Sequence, residues 1–411
     1  MNLALSDEQV FLREAARGAL SRFKTLEAAR DALDTQGGTP HGGGQAGGKG
    51  ELPDLWPTAC EAGWPGLLVD DAHGGADLDA FDAMLVLGEC GRVLAGVALL
   101  GHLPATAILS ESAAPAAAAL LPALASGEQR AAYLPACPPN DVFDSWCVDP
   151  LHGSERPAPP VASAASEGHV TVSGTYAFVP DAPGADVLVG VALLDTPQGT
   201  PHGGGQAGSK PVGVAIKAGG EGVSVEAIRR YDATRSLGHV TLNEARGVLL
   251  DTPVDSLAAA WHLAQALLAA ESIGAVETAL DMSVAYAKER HTFGRAIGSY
   301  QAVKHSLTEV LRQQENGRSL LYYAGWARRG APGEFALAAA AARSVAGHAL
   351  DTAARTMISV HGGIGATWEH DAPLYFRRAQ LSRRLLGGTG AATDRVAGEL
   401  LTQAAQAAQA A

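Results

Sequence analysis

A segment between two long helical patterns places an arginine, a hydroxyl, an aromatic ring and an amide close together. These groups belong to Arg290, Thr292, Phe293 and Gln301, and two glycines lie among them. A guanidinium pairs well with phosphate, while the hydroxyl, the amide and the ring suit the polar edges and flat face of a nucleotide. The segment therefore predicts a dinucleotide-binding site. The plainer alternative for Arg290 is a surface arginine that pairs with acids of a neighbouring helix.

The composition is that of a folded protein with a helix-rich core. The chain has 411 residues, of which 47% are hydrophobic and only 5% aromatic, and its formal net charge is -13. This length allows two or three domains. The negative charge argues against a general nucleic-acid or membrane-surface binder, although a local basic patch can still hold an anionic ligand.

The cysteines and the N-terminus indicate a reducing compartment. The 4 cysteines show no metal-type spacing, and the N-terminus has no basic region followed by an apolar core. No apolar run reaches membrane-spanning length without interruption. We therefore expect a cytoplasmic protein without a nucleic-acid or membrane partner.

Sequence patterns predict helices, then strands, then helices again. Ser6 and Gln9 fit a capping box at the start of a first helix. From about residue 141, alternating apolar residues and short valine-rich runs predict a compact β-domain. Asp255 and Ser256 are the expected caps of a long helix that ends near Arg290 and spans roughly 50 Å.

Three further helical regions follow, so four long helices with short joints predict an antiparallel bundle. The expected fold class is α+β. It comprises an all-α domain at residues 1–137, a β-barrel or sandwich domain at 138–252 and a four-helix bundle at 253–411.

The unit GTPHGGGQAG occurs twice, at residues 38–47 and 199–208. Its glycine content favours mobile surface insertions rather than a structural repeat. His41 and His202 offer too few ligands for a metal ion, so we predict no metal site.

Together these features resemble the acyl-CoA dehydrogenase family over nearly the whole chain. Residues 290–301 are similar to the flavin-contacting signature of that family, and residues 361–378 are similar to its second signature. Weaker N-terminal matches include residues 5–9 and 88–92. Residues 174–181 resemble bacterial members that handle bulky or aromatic acyl groups, including steroid side chains.

The resemblance implies an acyl-CoA substrate and FAD, bound between the β-domain and the bundle. It also implies a dimer of dimers, homomeric or heteromeric, and an electron acceptor such as an electron-transfer flavoprotein. By the same matching, Arg290 pairs with the pyrophosphate, Thr292 and Phe293 line the cofactor, and Gln301 holds the ADP end in a neighbouring subunit. Three glycines, whose backbone can approach adenosine closely, and one threonine complete the expected cofactor-binding set: Gly362, Gly363, Gly365 and Thr389.

The reaction of the family needs a base that takes the α-proton of the thioester while the flavin accepts the β-hydride. The common base is a glutamate in a Tyr-Glu-Gly-Thr segment, and this chain has Gly387 at that position. Other branches place the base on the first bundle helix, where counting back from Arg290 gives Ala264. Neither residue can accept a proton, so we assign no catalytic residue.

Other acids are poor replacements for the base. Glu271 lies on the same helix face as Ala264 but about 10 Å further along, so a packing or interface role is expected. Glu277 is expected to be solvated, and Glu369 to have a capping or structural role. Four arginines near the missing base could meet CoA phosphates, stay solvated or bridge subunits: Arg377, Arg378, Arg383 and Arg384.

Several flavin-contacting positions also differ from the family pattern. This chain has Ser359 where the family has a glutamine before the second signature. The family's aromatic-Ile-Thr element is replaced by other residues from Tyr176 onward. Residues 146–155 match the family's flavin and thioester loop only loosely, with Ser154 as a candidate ligand contact.

Two main hypotheses follow. The first is α,β-dehydrogenation of a CoA thioester with FAD, either by this chain alone or with this chain as one subunit of a heteromeric enzyme. The second is a catalytically silent subunit that lends Arg290 and Gln301 to a flavin held mainly by a partner chain. A third, a flavin oxidase or monooxygenase on the same scaffold, would consume oxygen without another electron acceptor.

Overall fold

The structure is a computed structural model that describes residues 4–36, 52–135, 160–165, 168–195, 209–228 and 232–410. Its first part is helical. The helices are α1 (Asp7–Leu20), α2 (Thr25–Gln36), α3 (Trp56–Glu61), α4 (Ala80–Arg92), α5 (Leu99–Ser110) and α6 (Pro115–Ala125). The predicted capping box starts α1: the N–H of Gln9 donates to Ser6 Oγ at 3.2 Å, and the N–H of Ser6 donates to Gln9 Oε1 at 3.1 Å.

Within the described residues, seven strands form one sheet that closes into a barrel. They are β1 (Ala131–Leu134), β2 (Val161–Ala164), β3 (His169–Pro180), β4 (Val187–Asp195), β5 (Ser209–Lys217), β6 (Val223–Ala227) and β7 (Leu237–Leu250). The neighbour order is β1-β4-β2-β3-β7-β5, β6 pairs with β7, and the additional pairing of β4 with β5 closes the ring. Alternating residues of the strands fill the barrel with a separate apolar core.

The chain then forms a helical bundle around α7 (Val254–Glu289). A hairpin of β8 (His291–Thr292) and β9 (Arg295–Ala296) leads to α8 (Gln301–Gly330), α9 (Pro332–His361), α10 (Ala372–Ser382) and α11 (Gly388–Ala410). With 36 residues, α7 is about 54 Å long. It is long and apolar enough to cross a membrane, but 89% of its most apolar window is buried, as in the core helix of a bundle.

The predicted cap of α7 is wrong. The helix begins at Val254 after Pro253, and no side chain caps it. Pro253 fixes the backbone at the helix entrance, and Asp255 lies inside the first turn, where a carboxylate still interacts well with the helix dipole.

The fourth helical region is divided into α10 and α11. The turn between them has three successive residues with positive φ: Leu386 at 50°, Gly387 at 82° and Gly388 at 79°. This backbone cannot continue a right-handed helix.

Close helix contacts join the N-terminal helices to the bundle. A Cβ on Gly274 of α7 would lie 1.9 Å from the carbonyl oxygen of Gly88 in α4, and a Cβ on Gly91 would lie 1.9 Å from that of Glu271. Glycine therefore allows α4 and α7 to cross in backbone contact. The order of helices, barrel and bundle confirms the predicted fold class, and β1, which lies before residue 137, pairs with β4 of the barrel.

Candidate functional site

The turn between α7 and α8 is held by its own backbone and by Tyr300. The N–H of Ile297 donates to the carbonyl oxygen of Arg290 at 2.8 Å, and β8 pairs with β9. The Tyr300 hydroxyl donates to the carbonyl oxygen of Thr292 at 3.1 Å, and the guanidinium of Arg295 lies 4.1 Å from the centre of the Tyr300 ring. The shape of the turn is therefore fixed without the side chains predicted to bind a ligand.

Those predicted side chains face away from the rest of the chain. Arg290, Thr292 and Gln301 are exposed, and Phe293 is 95% exposed with a φ of 51°. Within the described residues, the guanidinium of Arg290 makes no hydrogen bond or ion pair, so pairing with a neighbouring helix is not seen there. A large exposed ring on a strained backbone indicates contact with something outside this part of the chain.

The glycine-rich segment after α9 contains two kinds of glycine. A Cβ on Gly362 or Gly363 would meet no atom within 4 Å. Gly362 still needs glycine for its φ of 63°, whereas nothing within 4 Å of Gly363 requires it. Gly365 is buried, and its Cβ would lie 2.8 Å from the carbonyl oxygen of Ile358. Packing within the chain therefore explains why residue 365 is a glycine. At Gly363 the backbone is exposed, so a group outside this chain can approach it closely.

Ring contacts join these two segments at one end of the bundle. The ring of Tyr286, near the end of α7, lies 4.5 Å from that of His361 at the end of α9. The ring of His361 lies 4.2 Å from that of His370. The structure thus brings the Arg290 turn and the Gly362–Gly363 backbone to the same end.

Thr389 lies elsewhere. Its side chain packs on α9 at Gly347, where an added Cβ would be 2.1 Å from Thr389 Cγ2. Gly347 is about 21 Å along α9 from His361, at 1.5 Å per residue. Within one chain, Thr389 is therefore separated from the other predicted cofactor-binding residues.

An indole ring lies against the position of the missing base. A Cβ placed on Gly387 would lie 3.2 Å from Cζ2 of Trp261, which is only 5% exposed. Gln265 Nε2 donates to the carbonyl oxygen of Leu386 at 3.1 Å and ties the same turn to α7. Ala264, the alternative base position, is completely buried.

Glu271 is a structural carboxylate. One of its oxygens accepts from Arg235 and the other from Arg378, and all three side chains are buried. This arrangement agrees with the expected packing role, because neither oxygen faces a free ligand site. The expectation that Glu277 is solvated is wrong, because its side chain is half-buried and pairs with Arg92. Glu369 is exposed, and a hydrogen bond from Thr367 lowers its pKa.

Arg378 is the centre of this buried network. Its Nε donates to Asp232 Oδ2 at 2.8 Å and its Nη2 to the carbonyl oxygen of Thr234 at 2.9 Å. Burial alone would lower the pKa of Arg378, but Asp232 and Glu271 outweigh burial and raise it. The network joins α10, α7 and the segment before β7, so it fixes the barrel to the bundle.

The four arginines near the missing base do not act together. Arg378 is buried in the network, whereas Arg377 lies over the ring of Trp368 at 4.6 Å. Arg383 donates to Gln380 at 3.4 Å, and Arg384 is exposed.

A cavity of about 550 Å³ lies among α5, α7, α9 and α11, with Arg328 from the end of α8. Its basic side chains are His262, Arg328 and Arg395, its acidic side chains are Glu111 and Asp255, and the rest of its wall consists of Phe335 and small residues, mainly alanine. His262 Nδ1 and Arg328 Nη1 are buried without a hydrogen-bond partner in the described structure. Burial, assisted by Arg395, lowers the pKa of His262 to about 3, so this imidazole is neutral. The buried guanidinium N–H of Arg328, which has no partner in the described residues, suits an anionic ligand.

No local pattern predicts this cavity, because its basic residues come from three separate helices. Other predicted features lie outside the described residues, namely residues 146–155 and both copies of GTPHGGGQAG. Tyr176 belongs to the barrel core, where its hydroxyl donates to the carbonyl oxygen of Val191 at 2.8 Å. Ser359 is exposed on α9.

Comparison with known proteins identifies the family. Residues 24–137 match the family described as acyl-CoA dehydrogenase, N-terminal domain, and residues 258–401 match acyl-CoA dehydrogenase, C-terminal domain. Acyl-CoA dehydrogenase IpdE2 of Mycolicibacterium smegmatis is 28% identical over 390 residues, covering 93% of this chain and 96% of its own. Acyl-CoA dehydrogenase FadE34 of Mycobacterium tuberculosis is 40% identical over 183 residues, covering 44% of this chain and 25% of its own.

Solved structures share the fold over almost the full length. A variant of the Tcur3481-Tcur3483 steroid ACAD has a TM-score of 0.78 and 25% identity, and the match covers 97% of this chain and 99% of that one. The ChsE4-ChsE5 complex from Mycobacterium tuberculosis has a TM-score of 0.76 at 22% identity, with 98% and 99% covered. The two family matches together span more than half of the sequence, which confirms the resemblance. The chain belongs to the acyl-CoA dehydrogenase family, whose members use FAD to oxidise CoA thioesters.

Proposed function

We propose that this chain is one subunit of an FAD-dependent acyl-CoA dehydrogenase, which introduces a double bond between the α- and β-carbons of a CoA thioester. The observation that carries this proposal is the outward-facing set at one end of the bundle. There, an arginine without a partner in the described residues, Arg290, shares that end with exposed backbone at Gly363. A free guanidinium and backbone without a Cβ fit the pyrophosphate and adenosine parts of FAD.

FAD, when bound, supplies the acceptor for the hydride that leaves the β-carbon. Arg290 would hold the pyrophosphate, Thr292 and Phe293 would line the cofactor, and Gln301 would hold the ADP end. The Arg290 turn faces outward, whereas Thr389 packs inside its own chain on α9 at Gly347. As the family resemblance implies, we assign the two to different flavins. In this arrangement the Arg290 turn serves the flavin of a neighbouring subunit, and Thr389 serves that of its own chain.

The cavity lined by His262, Arg328 and Arg395 is the proposed site for coenzyme A. Arg328 complements its phosphates, whereas Arg395 also pairs with Glu399 at 2.8 Å, and the alanine-rich wall suits the narrow pantetheine chain. The neutral imidazole of His262 can donate or accept a hydrogen bond without adding a further buried charge.

The absence of a base supports a heteromeric assembly. Gly387 and Ala264 cannot take a proton, and both oxygens of Glu271 are bound to arginines. A partner chain that shares the flavin could supply the base. The second candidate is therefore a silent subunit, and the indole of Trp261 in front of Gly387 is the observation that favours it. Two of the structural relatives, Tcur3481-Tcur3483 and ChsE4-ChsE5, are themselves named as pairs.

We further propose a dimer of dimers, homomeric or heteromeric, that acts in the cytoplasm and passes electrons to an acceptor such as an electron-transfer flavoprotein. These points rest on the family. A bulky or steroid-derived acyl group is the substrate class that the Tcur3481-Tcur3483 similarity favours.

The test is to purify the full chain alone and together with the product of an adjacent, related gene. Bound flavin and acyl-CoA oxidation with an artificial electron acceptor are measured in both preparations. We expect turnover only when the partner is present. Strong turnover by the chain alone would eliminate the silent subunit, and a lack of flavin in both preparations would contradict the proposed function. Oxygen consumption without an added acceptor would instead indicate an oxidase.

A further inference from the structure

Trp261 packs against the position from which a base would have to act. Two atoms of its ring, Cζ2 and Cη2, lie 3.2 and 3.6 Å from the Cβ position of Gly387. Ala264 follows three residues later on the same helix face, and Gln265 is bonded to the Leu386 carbonyl on that face. Both positions at which the family places its base therefore face the region occupied by this indole.

The basic cavity ends before it reaches this region. Its wall on α7 includes Ala258, Ala259 and His262, but neither Trp261 nor Gly387 is among the described residues that line it. Successive residues of an α-helix point about 100° apart, so Trp261 and His262 face different sides of α7. The indole is 5% exposed, which means that its volume is already part of the packed core.

We propose that Trp261 is a plug that ends the ligand cavity short of Gly387, so that this chain binds the coenzyme A part of a thioester but gives its acyl chain no apolar contact. This inference rests on the proposed function, because it takes the basic cavity as the coenzyme A site. It assigns recognition of the acyl group to another chain of the assembly.

Isothermal titration of the full chain, purified without a partner, with coenzyme A, butyryl-coenzyme A and octanoyl-coenzyme A tests the plug. Each methylene that enters an apolar cavity strengthens binding about fourfold. The wild-type chain is therefore expected to bind all three ligands with Kd values within about twofold of one another. Trp261→Ala should open the space, and it should then bind octanoyl-coenzyme A at least about tenfold more tightly than butyryl-coenzyme A.

Trp326→Ala is the control, because this exposed tryptophan of α8 does not line the cavity and its loss should retain the wild-type pattern. If Trp261→Ala does not fold, Trp261→Leu is used in its place. The three titrations of the wild-type chain test the plug even without a variant. Tighter binding of longer acyl chains by the wild-type chain would overturn the plug alone. Absence of binding even by free coenzyme A would instead overturn the assignment of the cavity and, with it, the plug.

Discussion

Glu271 of α7 and Arg378 of α10 form an ion pair that is shielded from water, and Arg235 binds the second carboxylate oxygen. This contact connects two helices of the bundle with the segment before β7. A carboxylate in such a network stabilises the domain arrangement and is unavailable for proton transfer. The one buried acid near the base positions on α7 is thereby excluded as a replacement base.

Glu271→Gln should lower stability without a specific effect on chemistry. Removing one partner of a buried ion pair costs about 3–5 kcal/mol, because the remaining charges lose their compensation. We expect a clearly lower midpoint of thermal unfolding, with unchanged turnover per bound flavin in the assembled enzyme. Glu277→Gln is the control: its side chain is half-buried, and its loss should cost about 1 kcal/mol or less. Normal stability with lost turnover in Glu271→Gln would show that this carboxylate contacts substrate.

Restoring the glutamate at position 387 should not restore activity. Gly387 has a φ of 82° and faces the Trp261 ring, so Gly387→Glu would be strained and its side chain obstructed. Strain of this type costs about 1–3 kcal/mol. We expect a less stable chain that still fails to oxidise acyl-CoA when purified alone. Gly390→Glu is the control, since a Cβ there meets no atom within 4 Å. Turnover by Gly387→Glu would mean that the turn and the ring adapt freely.

The buried histidines should make the fold sensitive to acid. Burial lowers the pKa of His102 to about 4 and that of His262 to about 3, from an ordinary value of 6.5. Their folded-state pKa values are depressed, so the stabilisation is present above pH 6.5 and is lost as the pH falls below it. Each histidine should lower the free energy of unfolding by about 1 kcal/mol as the pH falls from 6.5 to 5.5.

His262→Gln should therefore show a flatter decline in thermal stability over this range than the wild-type chain. Asp181 has the opposite effect, because burial raises its pKa to about 6 and protonation in acid then favours the folded state. The test therefore compares the pH dependence of thermal stability in His262→Gln with that in the wild-type chain, since Asp181 is present in both. His305→Gln, at an exposed position of α8, should leave the slope unchanged. Equal slopes for wild type and His262→Gln would contradict a buried neutral imidazole.

Arg328 should contribute directly to coenzyme A binding. A hydrogen bond between charged groups contributes about 1.5–3 kcal/mol, so Arg328→Ala should weaken coenzyme A binding roughly tenfold or more. The neighbouring Arg329 is exposed, does not line the cavity and donates to Asp77 at 3.3 Å. Arg329→Ala should change the Kd by less than about twofold. Equal Kd values for both variants, measured by titration calorimetry, would place coenzyme A elsewhere.

Local patterns in the sequence predicted much of the fold. The capping box at Ser6 depends on residues three apart, and α7 follows from a long stretch with a single glycine and without proline. The Arg290 and Gly362 segments were recognisable because each combines ligand-binding groups or glycines within one turn. The division between α10 and α11 was missed, although Gly387 and Gly388 are a recognisable turn signal.

Contacts between distant residues could not be predicted from one sequence. Arg235 and Glu271 are 36 residues apart, and Glu271 and Arg378 are 107 apart, so no local pattern links them. The same applies to the indole of Trp261 in front of Gly387, which follows from packing after the chain has folded. The absence of the base is visible at Gly387 in the sequence, whereas the ring that lies against this position is visible only in the structure.

Flavin occupancy of Arg290→Ala tests the central claim most directly. The variant is prepared in the full assembly, and its visible flavin absorbance per chain is compared with that of wild type and of Arg312→Ala, an exposed arginine on α8 that pairs with Glu309. Loss of a guanidinium contact to phosphate should weaken flavin binding roughly tenfold or more, so flavin should be lost on dilution or gel filtration. Arg312→Ala should retain it. Full flavin occupancy in Arg290→Ala would contradict the assignment of this turn as a nucleotide-binding site.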